Sequence, residues 1–218
     1  MEIACMSDIH GEHIPEKHIP EADVLVIAGD ATKRGCHREF MEFVAQLKKW
    51  YRKFSHVVYV PGKHDVLMEH HPERYIDVLE SAVPNAKVLI HTDIKIGDVK
   101  MWGTPYSVYD KVWAFTEKEE KRKYLFSRIP RGTDVIISYS PPWSILDLEQ
   151  NNKDFYYHSG CKYLLQTTKS IQPKLHIFGG SHANAGELLR DDMPTKFINA
   201  SITKNYTSPL NQIIVTEI

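Results

Sequence analysis

Residues able to hold a metal ion or move a proton collect just after a series of short apolar runs. Asp8 and His10 follow Ile3–Cys5, and Asp30 follows Val24–Ala28 across Gly29. Lys63, His64 and Asp65 follow Val57–Val60 across Pro61-Gly62, Tyr139 follows Val135–Ser138, and His182 follows Leu175–Phe178 across Gly179-Gly180. Carboxylates and imidazoles are the usual ligands of divalent first-row ions, and imidazole is the side chain suited to proton transfer near neutrality. Each piece alone is weak. An Asp-x-His step puts two ligand types on one side of an extended segment, but a lone copy usually caps its own backbone. Gly29-Asp30 serves equally well as a turn with a helix cap, and Pro61-Gly62 is a turn signal whatever follows. The ordered recurrence after strands carries the inference, because ligand sites in open α/β sheets form outside the carboxyl ends of the strands.

The elements that must position these residues are legible as alternating periods. Further β-rich runs lie at Val88–Ile90, Val99–Trp102, Lys196–Ile198 and Ile213–Thr216. Phe40, Phe43, Val44, Leu47 and Tyr51 recur at helical spacing, with Lys48, Lys49, Arg52 and Lys53 off that stripe. Shorter helices are predicted over Tyr75–Val83, Glu117–Phe126 and Cys161–Ile171. Strands alternating with helices imply a largely parallel sheet, and closely spaced strands near the end imply an antiparallel finish. The fold class is α/β, and one domain over residues 1–218 is the simplest division, with no repeat or low-complexity linker. The mixed-charge stretches Lys48–Lys53 and Lys118–Lys123 read as solvated helix faces, and His70-His71 beside Pro72 as a surface loop.

Composition narrows the function classes. Lys and Arg number 27 against 28 Asp and Glu, a formal charge of -1, which disfavours bulk-charge binding of nucleic acid. At 42% hydrophobic the chain is too apolar for intrinsic disorder. The longest apolar run, Val24–Ala28, is far below the roughly 20 residues of a membrane span. Cys5, Cys36 and Cys161 are scattered and odd in number, which reads as free thiols in a reducing compartment. With no export signal visible, the expected location is cytoplasmic, and the acceptor patterns at Asn199-Ala200-Ser201 and Asn205-Tyr206-Thr207 carry no weight.

Five blocks together resemble the calcineurin-like metallophosphoesterases: Ser7-Asp8-Ile9-His10-Gly11, Ala28-Gly29-Asp30, Pro61-Gly62-Lys63-His64-Asp65, Ser138-Tyr139-Ser140-Pro141-Pro142 and Phe178-Gly179-Gly180-Ser181-His182. Trp102-Gly103-Thr104-Pro105-Tyr106, Trp113-Ala114-Phe115 and Ile198-Asn199-Ala200-Ser201 look like its metallophosphoesterase-domain-containing branch. The resemblance implies a β-sandwich of mixed sheets flanked by helices and a two-metal phosphoesterase centre. Its first metal would take Asp8, His10, Asp30 and His182. The positions private to the second metal would be Lys63, Tyr139 and Gly180, none of which carries the family's ligand. His64 would be the general acid, with Asp65 orienting the imidazole or its loop.

The asymmetry between the two sets yields specific expectations. One divalent transition ion (Mn, Fe or Zn) is expected, and a second is not. Lys63 either replaces the missing cation's charge beside Asp30 and binds phosphate or points to solvent, and Tyr139 could donate its hydroxyl to the same phosphate. Tyr106, Tyr109, Trp113 and Trp143 are candidates for lining a base pocket. The expected partner is a small phosphoester or nucleotide, with a cyclic nucleotide as first guess. The expected activity is weak phosphodiester hydrolysis, and the alternative is a non-catalytic nucleotide- or phosphate-binding protein.

Overall fold

Val24–Ala28 is buried on both faces, the signature of an interior parallel strand, and the sheet around it orders the first half of the molecule. In the computed structural model, which describes residues 1–150, 155–203 and 211–218, five strands lie in the order Ile214–Glu217, Glu2–Met6, Val24–Ala28, His56–Val60, Ala86–Val88. The last four are parallel, and Ile214–Glu217 runs antiparallel along Glu2–Met6. A second sheet of six runs Gly186–Arg190, Met193–Asn199, Leu175–Phe178, Val135–Ser138, Val99–Thr104, Thr92–Ile96, its four inner strands parallel and both edges antiparallel.

The two sheets share one apolar core. Cys5, Val26 and Val58 from the first meet Ile137, Ile177 and Ile198 from the second, all fully buried. Alternate residues point outward and are covered by helices. His37–Trp50 and Pro72–Ala82 lay Phe43, Leu47 and Leu79 over Leu25 and Val57. Glu119–Ser127 and Lys162–Ile171 bring Phe126 and Leu164 to Trp102 and Ile136. Each fully buried side chain of this size contributes about 1.5–3 kcal/mol. The resulting helix–sheet–sheet–helix layering is the α/β sandwich that the resemblance implies.

Several expectations need adjustment. The stripe of the first long helix ends on buried Trp50, with Tyr51 only half-buried. Arg122 departs from the solvated-face reading: its guanidinium is buried, donating from Nη1 to Cys161 Sγ at 3.0 Å and from Nε to the Glu117 carbonyl. His70 closes a short helix, Val66–His70, and is exposed with His71. The hairpin Leu148–Gln150 with Tyr156–His158 adds two strands beyond those the sequence predicts. The cysteines are free, two of them buried. Asn199 is fully buried, and Asn205-Tyr206-Thr207 lies outside the described residues. Among the described residues no helix is long and apolar enough to cross a membrane.

Candidate metal centre and active site

The parallel strands end at one edge, and the loops leaving them are tied into strained shapes there. Asp8, His10 and Asp30 adopt left-handed backbone with φ of 55°, 48° and 51°, a conformation that costs of order 1 kcal/mol or more each and clusters at functional sites. Cross-loop hydrogen bonds hold them: the Asp8 amide donates to the Gly29 carbonyl at 3.0 Å, His10 to Asp30 at 2.9 Å and Gly11 to Ala31 at 3.0 Å. The Thr203 hydroxyl donates to the Asp8 carbonyl. Asp8 and Asp30 are therefore fixed by backbone before any ligand arrives.

Their side chains converge. His10 Nε2 lies 3.1 Å from His182 Nε2, 3.9 Å from Asp8 Oδ1 and 3.8 Å from Asp30 Oδ2, and His182 Nε2 lies 3.4 Å from Asp8 Oδ1. Ligands about 2.0–2.2 Å from one ion stand about 3–3.5 Å apart in octahedral or tetrahedral arrangements. The cradle fits a divalent ion. Asp8, His10 and His182 form one group of mutually close ligand atoms, and His10, Asp30 and His64 form another. Three of the four ligands expected from the resemblance thus stand together. Asp30 joins them through His10 and brings His64 with it. Which ion would bind is not fixed by these nitrogen and oxygen donors.

The electrostatics suit cation capture. Burial pushes His10 down to about 4, helped by the charges of His182, His64 and Lys33, so its ring is neutral and its lone pair available near neutral pH. Burial pushes the Asp8 carboxyl up, but the hydrogen bond and charge of His182, with His10, carry it below the usual carboxylate range. His182 is correspondingly raised: burial opposes its charge, and Asp8 outweighs the burial. Asp30 is raised well above the usual range by burial and by the neighbouring Asp65 and Asp8 charges. A bound cation would relieve that repulsion.

Tyr139 reaches the Asp30 oxygen that also faces His10 and His64. Its hydroxyl donates to Asp30 Oδ2 at 2.8 Å, while Oδ1 accepts the His64 amide at 2.8 Å. The ring is buried and closely walled. A Cβ on Gly29 would lie 2.4 Å from Tyr139 Cδ2. A Cβ on Gly180 would lie 3.3 Å from Tyr139 Cζ and 3.0 Å from its carbonyl oxygen, at a φ of +70° that already favours glycine. Tyr139 and Gly180 are thus one packing unit: the ring fills the space that a side chain at position 180 would need.

Lys63 is not paired with Asp30 among the described residues. It is half-buried in the turn Gly62–Asp65, and its carbonyl accepts the Ala114 amide. The ammonium expected to stand in for the second cation makes no ion pair with Asp30 among the described residues, and the Tyr139 hydroxyl is the group that holds Oδ2. Of the two roles expected for Asp65, orienting the imidazole or its loop, the hydrogen bonds match the second. Asp65 is 2% exposed and accepts from the amides of Gly62, Ala31 and Thr32 and from the Thr32 hydroxyl. It fixes the loops and is not the partner of the His64 ring. That partner is the Lys33 carbonyl, 2.5 Å from His64 Nδ1. A carbonyl can only accept, so Nδ1 carries a hydrogen and Nε2, 3.9 Å from Asp30 Oδ2, is the nitrogen free for chemistry. The Trp113 ring lies against this imidazole with centroids 3.9 Å apart. The Lys33 carbonyl leaves no signal in the sequence; Trp113 does, as one of the pocket aromatics.

The chain matches the calcineurin-like phosphoesterase family over residues 1–184. It is 26% identical to UPF0046 protein T07D4.2 of Caenorhabditis elegans over 100% of this chain and 60% of that protein. It is 27% identical to human Metallophosphoesterase domain-containing protein 1 over 98% of this chain and 70% of that one. The chain therefore spans roughly two thirds of the length of these relatives. Two solved structures share the fold at low identity: TT1561 of Thermus thermophilus (TM-score 0.65, 13% identical, 91% and 88% of the two chains covered), and Phosphopantetheinyl Hydrolase from Mycobacterium tuberculosis (TM-score 0.58, 15% identical, 93% and 89% covered). A sandwich whose strand ends gather Asp8, His10, Asp30 and His182, matched over 184 residues, leads to one conclusion: this chain belongs to the calcineurin-like phosphoesterase family.

Proposed function

We propose that the chain hydrolyses phosphodiesters slowly, with one resident divalent ion in the cradle of Asp8, His10, Asp30 and His182. The observation that carries this reading is the Tyr139 hydroxyl on Asp30 Oδ2, with the ring packed where a ligand from position 180 would project. That arrangement supports a single ion and argues against a second one. The chemistry an ion supplies in such a cradle is Lewis-acid polarisation of a phosphoryl oxygen. The protein's own groups do the rest. Asp8 and Asp30 hold the negative potential that attracts the cation, and His10 and His182 offer ring nitrogens 3.1 Å apart. His64, its Nδ1 hydrogen held by the Lys33 carbonyl, carries the transferable proton on Nε2. In hydrolysis water adds to phosphorus and releases a proton to solvent, the ester P–O bond breaks, and His64 gives its Nε2 proton to the departing oxygen and regains one from solvent. Lys33, whose charge reaches His10, is available to a substrate phosphate, as is Lys63 if its ammonium turns from the Gly62–Asp65 turn toward the cradle. With one electrostatic clamp missing, turnover should fall about 10²–10³ below a two-ion centre.

The test is hydrolysis with added Mn²⁺ of two diesters, one with a nitrophenoxide and one with a nucleoside alkoxide leaving group. Slow metal-dependent turnover abolished by His10→Ala is expected. His64→Ala should cost the alkoxide substrate about 10²-fold or more and the nitrophenoxide substrate far less, since that leaving group needs no proton. Absence of metal-dependent turnover with either diester, alongside retained Mn²⁺ binding, would overturn this reading in favour of a ligand-binding protein.

A further inference from the structure

Large apolar side chains standing in solvent are not scattered over this protein. Of the eleven such side chains among the described residues, three fall in residues 108–112 and four in residues 148–157. Single exposed apolar residues need no explanation, but grouped ones mark binding surfaces. One group lies next in the chain to residues that touch the His64 loop, and the other includes residues bonded to the His182 turn. Residues 113–115, which directly follow the first segment, are tied to the His64 loop: the Ala114 amide donates to the Lys63 carbonyl at 3.0 Å, Phe115 to Glu69 at 2.7 Å, and Trp113 lies on the His64 ring. The second is tied to the His182 turn. Ser181 donates to Glu149 at 2.6 Å, and Asn184 donates to the Leu148 carbonyl at 2.7 Å. Tyr157 is the register partner of Glu149, so it shares the face turned toward Ser181, and it is 48% exposed. His64 and His182 belong to different ligand groups that have only His10 in common.

We propose that these lips grip a linear phosphodiester carrying a planar apolar group on each of its two arms. This rests on the phosphodiesterase reading and goes beyond it by assigning each arm a surface. With phosphorus at the His10 centre, the leaving arm runs toward His64 and Trp113, and the spectator arm runs toward His182 and Tyr157. A monoester has one arm and leaves a lip empty. A cyclic diester turns both ester oxygens back onto one sugar and cannot span the two lips.

The discriminating substrates are bis(p-nitrophenyl) phosphate and methyl p-nitrophenyl phosphate, which share a leaving group and differ only in the spectator arm. With Mn²⁺, the wild type should favour the two-ring diester in kcat/KM by about 5- to 150-fold, the range expected for one stacked ring. Tyr157→Ala should collapse that ratio toward the intrinsic reactivity difference. Trp113→Ala should slow both substrates and leave the ratio standing, with Trp113→Phe restoring most of the rate. Tyr124→Ala, at an exposed position on the helix Glu119–Ser127, is the control and should change neither. Binding of diphenyl phosphate against dimethyl phosphate by calorimetry repeats the comparison without turnover. An unchanged ratio in Tyr157→Ala, or equal binding of the two phosphates, would overturn the proposal while metal-dependent hydrolysis survives. Failure of the wild type to hydrolyse either diester with Mn²⁺ would overturn the phosphodiesterase reading beneath it.

Discussion

Replacing Gly180 with His should be expensive alone and much cheaper once Tyr139 is also replaced. At φ +70° any side chain at position 180 carries a left-handed penalty of about 1–2 kcal/mol. Its Cβ would sit 3.0 Å from the Tyr139 carbonyl oxygen and 3.3 Å from Cζ, and the imidazole beyond it would meet the tyrosine ring. Overpacking of that kind costs about 1–3 kcal/mol, so Gly180→His should destabilise by about 2–5 kcal/mol in total. Tyr139→His removes the 2.8 Å hydrogen bond to a buried carboxylate, worth about 1.5–3 kcal/mol, and also empties the space. In the double variant the ring's share of the overpacking disappears while the contact with the backbone carbonyl remains, and the two costs should be sub-additive by about 1 kcal/mol or more. Urea unfolding of the four proteins with chelator present measures this cycle free of metal linkage. Additivity within about 0.5 kcal/mol would refute the claim that ring and glycine form one unit.

Three further outcomes follow from other parts of the structure. His176 is fully buried between the Ser138 and Thr168 hydroxyls, and burial holds it at about 3, so below the unfolded value of 6.5 the unfolded chain takes up a proton that the native ring refuses. Its contribution is complete above pH 6.5 and lost as pH falls toward 3; denaturant melts should show His176→Gln escaping about 2 kcal/mol of the wild-type loss between pH 7 and 5. Asp65→Ala strands the amides of Gly62, Ala31 and Thr32 and should cost about 3 kcal/mol or more in urea unfolding, with Mn²⁺ affinity falling as the loops loosen. Because Asp30 and His182 are both shifted toward their protonated forms, Mn²⁺ uptake should release protons and weaken as pH falls; calorimetry in two buffers of different ionisation heat reads the proton count.

The ends of the parallel strands are legible in the sequence because a doubly buried strand is a continuous apolar run, and the residue after it is polar only when it has work to do at the sheet edge. Asp8, His10, Asp30, His64 and His182 stand out that way, and the structure brings them together. The pair Leu148–Gln150 with Tyr156–His158 escapes because its residues are mostly exposed and carry no apolar alternation, and the edge strand Thr92–Ile96 because only Ile94 and Ile96 of its five residues are apolar. Sequence adjacency pairs Asp65 with His64, whereas its charge reaches amides more than thirty positions back. The fate of Lys63 is undecidable from sequence: whether an ammonium or a hydroxyl reaches Asp30 depends on how the Tyr139 loop crosses from the second sheet. His176 and Arg122 sit inside ordinary-looking segments, and only the packed structure reveals that a neutral imidazole and a guanidinium are buried there.

The most direct test of the single-ion account is an anomalous difference map from crystals soaked in manganese. The prediction is one peak per chain, within bonding distance of Asp8, His10 and His182, with Tyr139 still hydrogen-bonded to Asp30. Two peaks about 3.5–4 Å apart with the tyrosine displaced, or an empty cradle at saturating manganese, would contradict it.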